Sequence, residues 1–98
     1  MGLTRQENHS EILDKLHLIY VKKNAKYGNS ATDTYNKFGL LSYAIRLNDK
    51  LMRFQSLVQN PDRVEADDDE SIIDTLLDMA NYAIMAVMDI ETKGQDAT

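Results

Sequence analysis

The chain has 98 residues, no cysteine, 43% apolar residues and a net charge of −5. This length suits one small domain with a single core, predicted over residues 1–98. The negative charge excludes wholesale binding to duplex nucleic acid, which requires a basic surface, and the missing cysteines exclude disulfides and thiolate metal sites.

The first predicted helix covers about residues 8–26, and a polar loop follows it over residues 28–37. Gly28 is the expected helix stop, because glycine accepts the backbone conformation of a C-cap. The Asn, Ser, Thr and Asp side chains of the loop hydrogen-bond to nearby backbone and favour turns. The apolar spacing of an amphipathic helix is visible at Ile12, Leu13, Leu16, Ile19 and Tyr20.

The second predicted helix covers about residues 38–59 and ends before Pro61, which cannot continue a helical hydrogen-bond ladder. An acidic linker over residues 60–69 leads to the third predicted helix, at about residues 69–92. That last helix is apolar around most of its circumference, which places it at the centre of the fold or at a subunit interface.

These elements predict an all-α protein, a small bundle of three principal helices that forms a homo-oligomer through apolar helix faces. The N-terminal segment is polar and lacks the apolar stretch of a signal peptide. Asp78 and Asp89 interrupt the longest apolar run, which we expect to be too short for a membrane span. A cytoplasmic location in a bacterial host cell is therefore expected, without membrane contact.

A stripe of acids runs along the third predicted helix at Glu70, Asp74 and Asp78, each one helical turn after the last. A buried carboxylate requires a partner or a metal. One interpretation is a magnesium site on these three residues, since this cation prefers carboxylate and phosphate oxygens. The favoured interpretation is ion pairing with basic residues of the second helix, namely Arg46, Lys50 and Arg53.

Two further segments carry possible ligand chemistry. In KKNAKYGNS, residues 22–30, a lysine can bind phosphate, Tyr27 can stack on a base, and Asn24 can contact a base edge. The alternative is purely structural, with lysines complementing the helix dipole and Gly28 acting as the cap. In RLNDKLMR, residues 46–53, the basic residues form either an anion clamp or an ion-pair ladder with Asp49.

Three segments together, KNAKYGNS, GLLSYAIRLNDKLMRFQSL and DESIIDTLLDMANYAIMAV, resemble the nucleotide modification associated domain family of the first type, small proteins of phages and prophages. The likeness extends from about Tyr20 to Val87. It implies a link with nucleotides. The motif positions that the resemblance identifies are Asn24, Tyr27, Gly28, Arg46, Asp49, Lys50, Arg53, Glu70, Asp74, Asp78, Asn81 and Tyr82.

A looser likeness is to the all-α MazG-type nucleoside triphosphate pyrophosphatases, which hold magnesium between paired acids on two helices. The chain departs from their pattern, because its first helix offers only Glu11 and Asp14 and its third spaces the acids by four. This departure favours nucleotide binding over hydrolysis.

The expected function is binding of a small nucleotide or nucleotide-derived signalling molecule, sequestered to counter host defence. Two alternatives remain: a magnesium-dependent nucleoside triphosphate pyrophosphatase, and a module that inhibits a host protein through the acidic surface of residues 67–70. The expected ligand contacts are Asn24, Lys26, Tyr27, Arg46, Lys50, Arg53, Asn81 and Tyr82.

Overall fold

A computed structural model describes residues 2–62 and 65–93, without the side chains of residues 65–68. No strand occurs in these described ranges, which confirms the all-α class. The chain forms four helices: α1 (Arg5–Tyr27), α2 (Ser30–Phe38), α3 (Leu41–Gln59) and α4 (Glu65–Thr92).

The prediction of three helices was wrong, because α2 occupies most of the predicted loop at residues 28–37. Its polar composition favours a turn, but Ala31 is buried and Tyr35, one helical turn later, packs against the core. Tertiary packing therefore overrides local preference in this segment. The predicted linker at 60–69 is also too long, since α4 already begins at Glu65.

Local signals account for the ends of α1 and α2. Thr4 and Glu7 form a reciprocal capping box, with bonds of 3.1 and 3.3 Å, which starts α1 three residues before the predicted position. The predicted stop at Gly28 is confirmed, and Gly39 ends α2 in the same way. Their φ angles of 67° and 74° lie in a region that other residues rarely adopt.

A buried polar cluster joins three of the helices around the small core. Tyr43 of α3, only 1% exposed, packs with Ala31 and Ala86. The carboxylate of Asp89 on α4 is 5% exposed and accepts hydrogen bonds from the Tyr43 hydroxyl and, at 3.0 Å, from Thr32 of α2. Burial and the bond to Asp89 raise the pKa of Tyr43 far above its ordinary value, so its hydroxyl stays a donor at every physiological pH.

The apolar run in α4 is longer than predicted. Residues 69–92 form a helical stretch that is long and apolar enough to cross a membrane, judged by length and composition alone. Core helices of soluble proteins pass the same test. Asp78 and Asp89 within this stretch both bond to side chains of other helices, Lys23 and Tyr43 respectively, but little of the apolar stretch is buried in the single chain.

Candidate functional site

A cavity of about 350 Å³ lies where the C-terminal part of α1 meets the start of α2 and the middle of α3 and α4. This volume is in the range of pockets that hold small molecules. Its wall combines three kinds of side chain: the aromatic rings of Tyr20, Tyr27 and Tyr82, the amides of Asn24 and Asn81, and the charged groups of Lys23, Arg46 and Asp78.

One face of α1 supplies half of these groups. Tyr20, Lys23, Asn24 and Tyr27 follow the buried Leu16 at intervals of three and four residues, so they share its side of the helix. Leu16 anchors this face against α4, where its carbonyl accepts a bond of 3.2 Å from the Asn81 amide. That bond leaves the side-chain oxygen of Asn81 available as an acceptor.

Asp78 lies between two lysines from different helices. Its carboxylate oxygens are 2.6 Å from the Nζ of Lys23 on α1 and 3.2 Å from the Nζ of Lys50 on α3. Burial by itself raises the pKa of Asp78, but the hydrogen bonds and charges of the two lysines outweigh burial and lower it below its ordinary value. Asp78 therefore stays ionised and positions Lys23 at the cavity.

Arg46 and Tyr82 form the opposite wall. The guanidinium carbon of Arg46 lies 5.6 Å from the centre of the Tyr82 ring, and its Nη1 is 3.5 Å from the Tyr82 hydroxyl. Cation–π contact of this kind holds a guanidinium in place while its remaining N–H groups stay free to bind an anion.

The N-terminus of α2 contributes a further positive element. Gly28, Ser30 and Ala31 line the cavity, and within the described residues the N-cap Asn29 makes no side-chain capping bond. The first amides of a helix carry partial positive charge and lack helical acceptors. With Lys23 and Arg46, the start of α2 gives the cavity the character of an anion site.

Five of the eight predicted ligand contacts line the cavity: Asn24, Tyr27, Arg46, Asn81 and Tyr82. The other three lie outside its wall. The Nζ of Lys26 lies 5.2 Å from the centre of the Tyr27 ring. Lys50 pairs with the carboxylate of Asp78, and the Nε of Arg53 donates a hydrogen bond of 3.2 Å to the Thr75 hydroxyl. The expected pairing of an acid on α4 with a base on α3 is confirmed for Asp78 and Lys50.

The predicted magnesium ligands are not brought together. Within residues 2–62 and 65–93, side chains of 65–68 excepted, no group of three carboxylate or imidazole side chains is arranged to hold a metal ion. Glu70 and Asp74 are exposed, whereas Asp78 is half-buried between its lysines. Magnesium binding thus stays a prediction. Of the predicted acidic surface at 67–70, Asp67 and Asp68 lie outside the described side chains.

The sequence interpretation omitted two polar residues of the cavity wall from its ligand contacts, Tyr20 and Lys23, although Lys23 lies in the KKNAKYGNS segment. It assigned phosphate binding in that segment to Lys26, the lysine nearest Tyr27 in the sequence. The signal was the phase of α1: Lys23 lies four residues before Tyr27, on the same side of the helix, whereas Lys26 directly precedes Tyr27 and is turned from it by roughly 100°.

Replacing Asp78 by asparagine is expected to make the free energy of unfolding depend less on pH in the acidic range. A carboxylate with a lowered pKa in the folded state stabilises that state above its unfolded pKa of about 4, and the contribution is lost as pH falls through the folded pKa. Urea unfolding from about pH 6 to pH 2 should show a smaller loss of stability in Asp78→Asn than in the parent chain. Exposed Asp62→Asn is the control, and equal pH slopes in all three proteins would contradict the role of Asp78.

Comparison with known proteins identifies the family of the chain. The family model that matches is described as nucleotide modification associated domain 1, and the match spans residues 23–90. No curated protein and no solved structure matches the chain. The matched region includes Lys23, Arg46, Asp78 and Tyr82 of the cavity wall. The chain belongs to the nucleotide modification associated domain 1 family.

Proposed function

We propose that the cavity binds a small nucleotide or nucleotide-derived signalling molecule and holds it without hydrolysis, in a phage or prophage protein that withdraws the molecule from a host defence pathway. The observation that carries this proposal is the convergence of two cations, an uncapped helix N-terminus and three tyrosines around one cavity. Phosphate and base are the two halves of a nucleotide, and this wall offers partners for both.

Phosphate binding would fall to Lys23, Arg46 and the first amides of α2. Lys23 is held by Asp78 and Arg46 by Tyr82, so both cations are oriented before a ligand arrives. Pre-oriented groups lose little conformational entropy on binding, which favours affinity.

Base recognition would fall to the aromatic and amide groups. Tyr27 is 62% exposed at the cavity edge, where an aromatic ring can stack on a base. The side chain of Asn24 and the free oxygen of Asn81 can bond to a base edge. Both amides combine donor and acceptor atoms, so they can distinguish bases by hydrogen-bond pattern.

Binding is favoured over hydrolysis because Asp78, the acid among the residues that line the cavity, is already neutralised. Asp78 pairs with two lysines, so a magnesium ion there would have to displace Lys23 and Lys50. A metal-assisted pyrophosphatase requires several free carboxylates around the phosphates. We further propose that the protein acts as a homo-oligomer in the cytoplasm of a bacterial host cell.

A nucleotide panel tests this proposal. The protein is incubated with nucleoside mono-, di- and triphosphates and with nucleotide second messengers, with and without magnesium. Binding is measured by calorimetry, and the ligand is recovered by denaturation and chromatography. Tight binding with intact ligand supports sequestration. Pyrophosphate release that disappears in Asp74→Asn would instead establish the enzyme, and absence of binding would favour the protein-inhibitor alternative.

A further inference from the structure

An uninterrupted apolar seam runs along the side of α4 that faces away from the cavity. Its members recur at alternating intervals of three and four residues, the heptad spacing of helices that pack in pairs. We call this set the α4 seam: Ile73, Leu76, Ala80, Ala83, Val87 and Ile90. The four large members are each between 41% and 53% exposed, so the rest of the described chain leaves the seam largely uncovered.

The seam lies on the opposite side of α4 from the candidate site. At 100° per residue, the cavity residues Asp78, Asn81 and Met85 lie roughly 180° around the helix from the seam. A partner docked on the seam would therefore leave the cavity open. Occupation of the seam and binding in the cavity are structurally independent.

The order of residues in the seam is palindromic. Measured from the midpoint between Ala80 and Ala83, each member has a counterpart of similar size at the same distance. Ile73 mirrors Ile90, Leu76 mirrors Val87, and Ala80 mirrors Ala83. Two copies of α4 packed antiparallel about a twofold axis would bring each residue against its counterpart, the self-complementarity that an isologous interface requires. The central alanines would let the backbones approach closely, with larger side chains packing at both ends.

The surface area of the isolated chain supports a second copy as the occupant. The chain exposes 7584 Å², about 1,900 Å² more than the roughly 5,700 Å² expected for a folded monomer of 11.2 kDa. A standard protein interface covers about 800 Å² on each partner, well within this excess. The radius of gyration, 15.5 Å, likewise exceeds the roughly 12.6 Å expected for this length.

The segments outside the described residues supply little apolar surface that could cover the seam. Residues 94–98 read GQDAT, without a large apolar side chain, and residues 63–64 are Arg and Val. On α3 an apolar row of similar spacing is also partly exposed: Leu40, Ala44, Leu47, Leu51, Phe54 and Val58. That row is not palindromic in side-chain size, because Ala44 and Phe54 would face each other in an antiparallel pair, whereas the α4 seam is matched in size along about 25 Å of helix.

From these observations we propose that the protein forms a twofold symmetric dimer in which the α4 seams of two copies pack antiparallel, leaving the two cavities open on opposite outer sides. This dimer specifies how the homo-oligomer of the proposed function assembles, and it does not depend on nucleotide binding. The palindrome points to α4 packed against its own copy, and the excess surface of the chain leaves room for a second copy.

Sedimentation velocity of the full chain tests the interface. The parent protein should sediment as a dimer and Ala83→Glu as a monomer, because the substitution places two like charges near the twofold axis. Ala25→Glu, the same change at an exposed position of α1, is the matched control and should remain dimeric. Since Ala83 is exposed in the single chain, circular dichroism should show unchanged helix content. A monomeric parent protein, or a dimeric Ala83→Glu, would overturn the proposal.

Cysteine cross-linking tests the antiparallel direction, since the chain has no cysteine of its own. A mixture of Leu76→Cys and Val87→Cys proteins should form a disulfide-linked dimer, whereas Leu76→Cys alone should not. In the antiparallel pair the two copies of residue 76 are about 16 Å apart along the helix axis, beyond the reach of a disulfide. Efficient cross-linking of Leu76→Cys with itself would indicate parallel packing and overturn the proposed arrangement. Nucleotide binding by Ala83→Glu should be unchanged, so failure of the dimer proposal and failure of the nucleotide proposal can be distinguished.

Discussion

Tyr43→Ala is expected to lower the free energy of unfolding by about 3–5 kcal/mol, the largest effect of any single substitution in the described core. Tyr43 is 1% exposed, packs with its ring centroid 5.9 Å from that of Tyr35, and donates its hydroxyl to Asp89. Removing it creates a cavity among α2, α3 and α4. It also removes a donor from a carboxylate that is buried.

Urea unfolding of three variants separates these two effects. Tyr43→Phe keeps the ring and should cost about 1–3 kcal/mol, the loss expected when a buried charged acceptor loses a partner. Tyr27→Ala is the matched control, because Tyr27 is 62% exposed, and it should change stability by less than about 0.5 kcal/mol. The account of the core fails if Tyr43→Ala is no more destabilising than Tyr27→Ala.

Arg46→Ala is expected to weaken nucleotide binding by about 10- to 100-fold, the loss that accompanies removal of a charge-assisted hydrogen bond of roughly 1.5–3 kcal/mol. Arg46 lines the cavity and is held in place by Tyr82, so its contribution to a bound phosphate would be direct. Calorimetric titration with whichever nucleotide binds the parent chain measures the change.

Arg53→Ala is the matched control for that experiment. It removes the same charge two turns further along the same face of α3, at a residue that contacts Thr75 and lies outside the cavity wall. Its binding constant should stay within a factor of about two of the parent value, since screening by solvent weakens distant charges. Equal losses in the two variants would indicate general electrostatic attraction without a defined site.

The sequence predicted the helical class because apolar periodicity and glycine positions are local signals. Leu16 and Ile19 identify the inner side of α1, and Gly28 identifies its end. For α2 the sequence did carry a helical signal, the i, i+4, i+7 spacing of Ala31, Tyr35 and Phe38, but the polar residues between them favour a turn. Non-local contacts decide in favour of the helix: Thr32 bonds Asp89, 57 residues away, and Tyr35 packs against Tyr43.

The acid stripe of α4 illustrates how spacing can mislead. Four residues advance a helix by about 400°, so a stripe at intervals of four drifts by about 40° at each step. Glu70 and Asp78 are consequently turned by roughly 80° relative to each other. Only Asp78 reaches the interior, and the structure pairs it with Lys23 as well as with the predicted Lys50. Lys23 belongs to α1, and the sequence alone could not predict how α1 packs against α4.

The most direct test of the central claim is calorimetric titration of the parent protein with the nucleotide panel, with and without magnesium, followed by recovery of the bound molecule. The account predicts that at least one nucleotide binds with one site per chain, is recovered chemically intact, and binds more weakly to Arg46→Ala than to Arg53→Ala. It is contradicted if no nucleotide binds, or if the ligand is recovered cleaved.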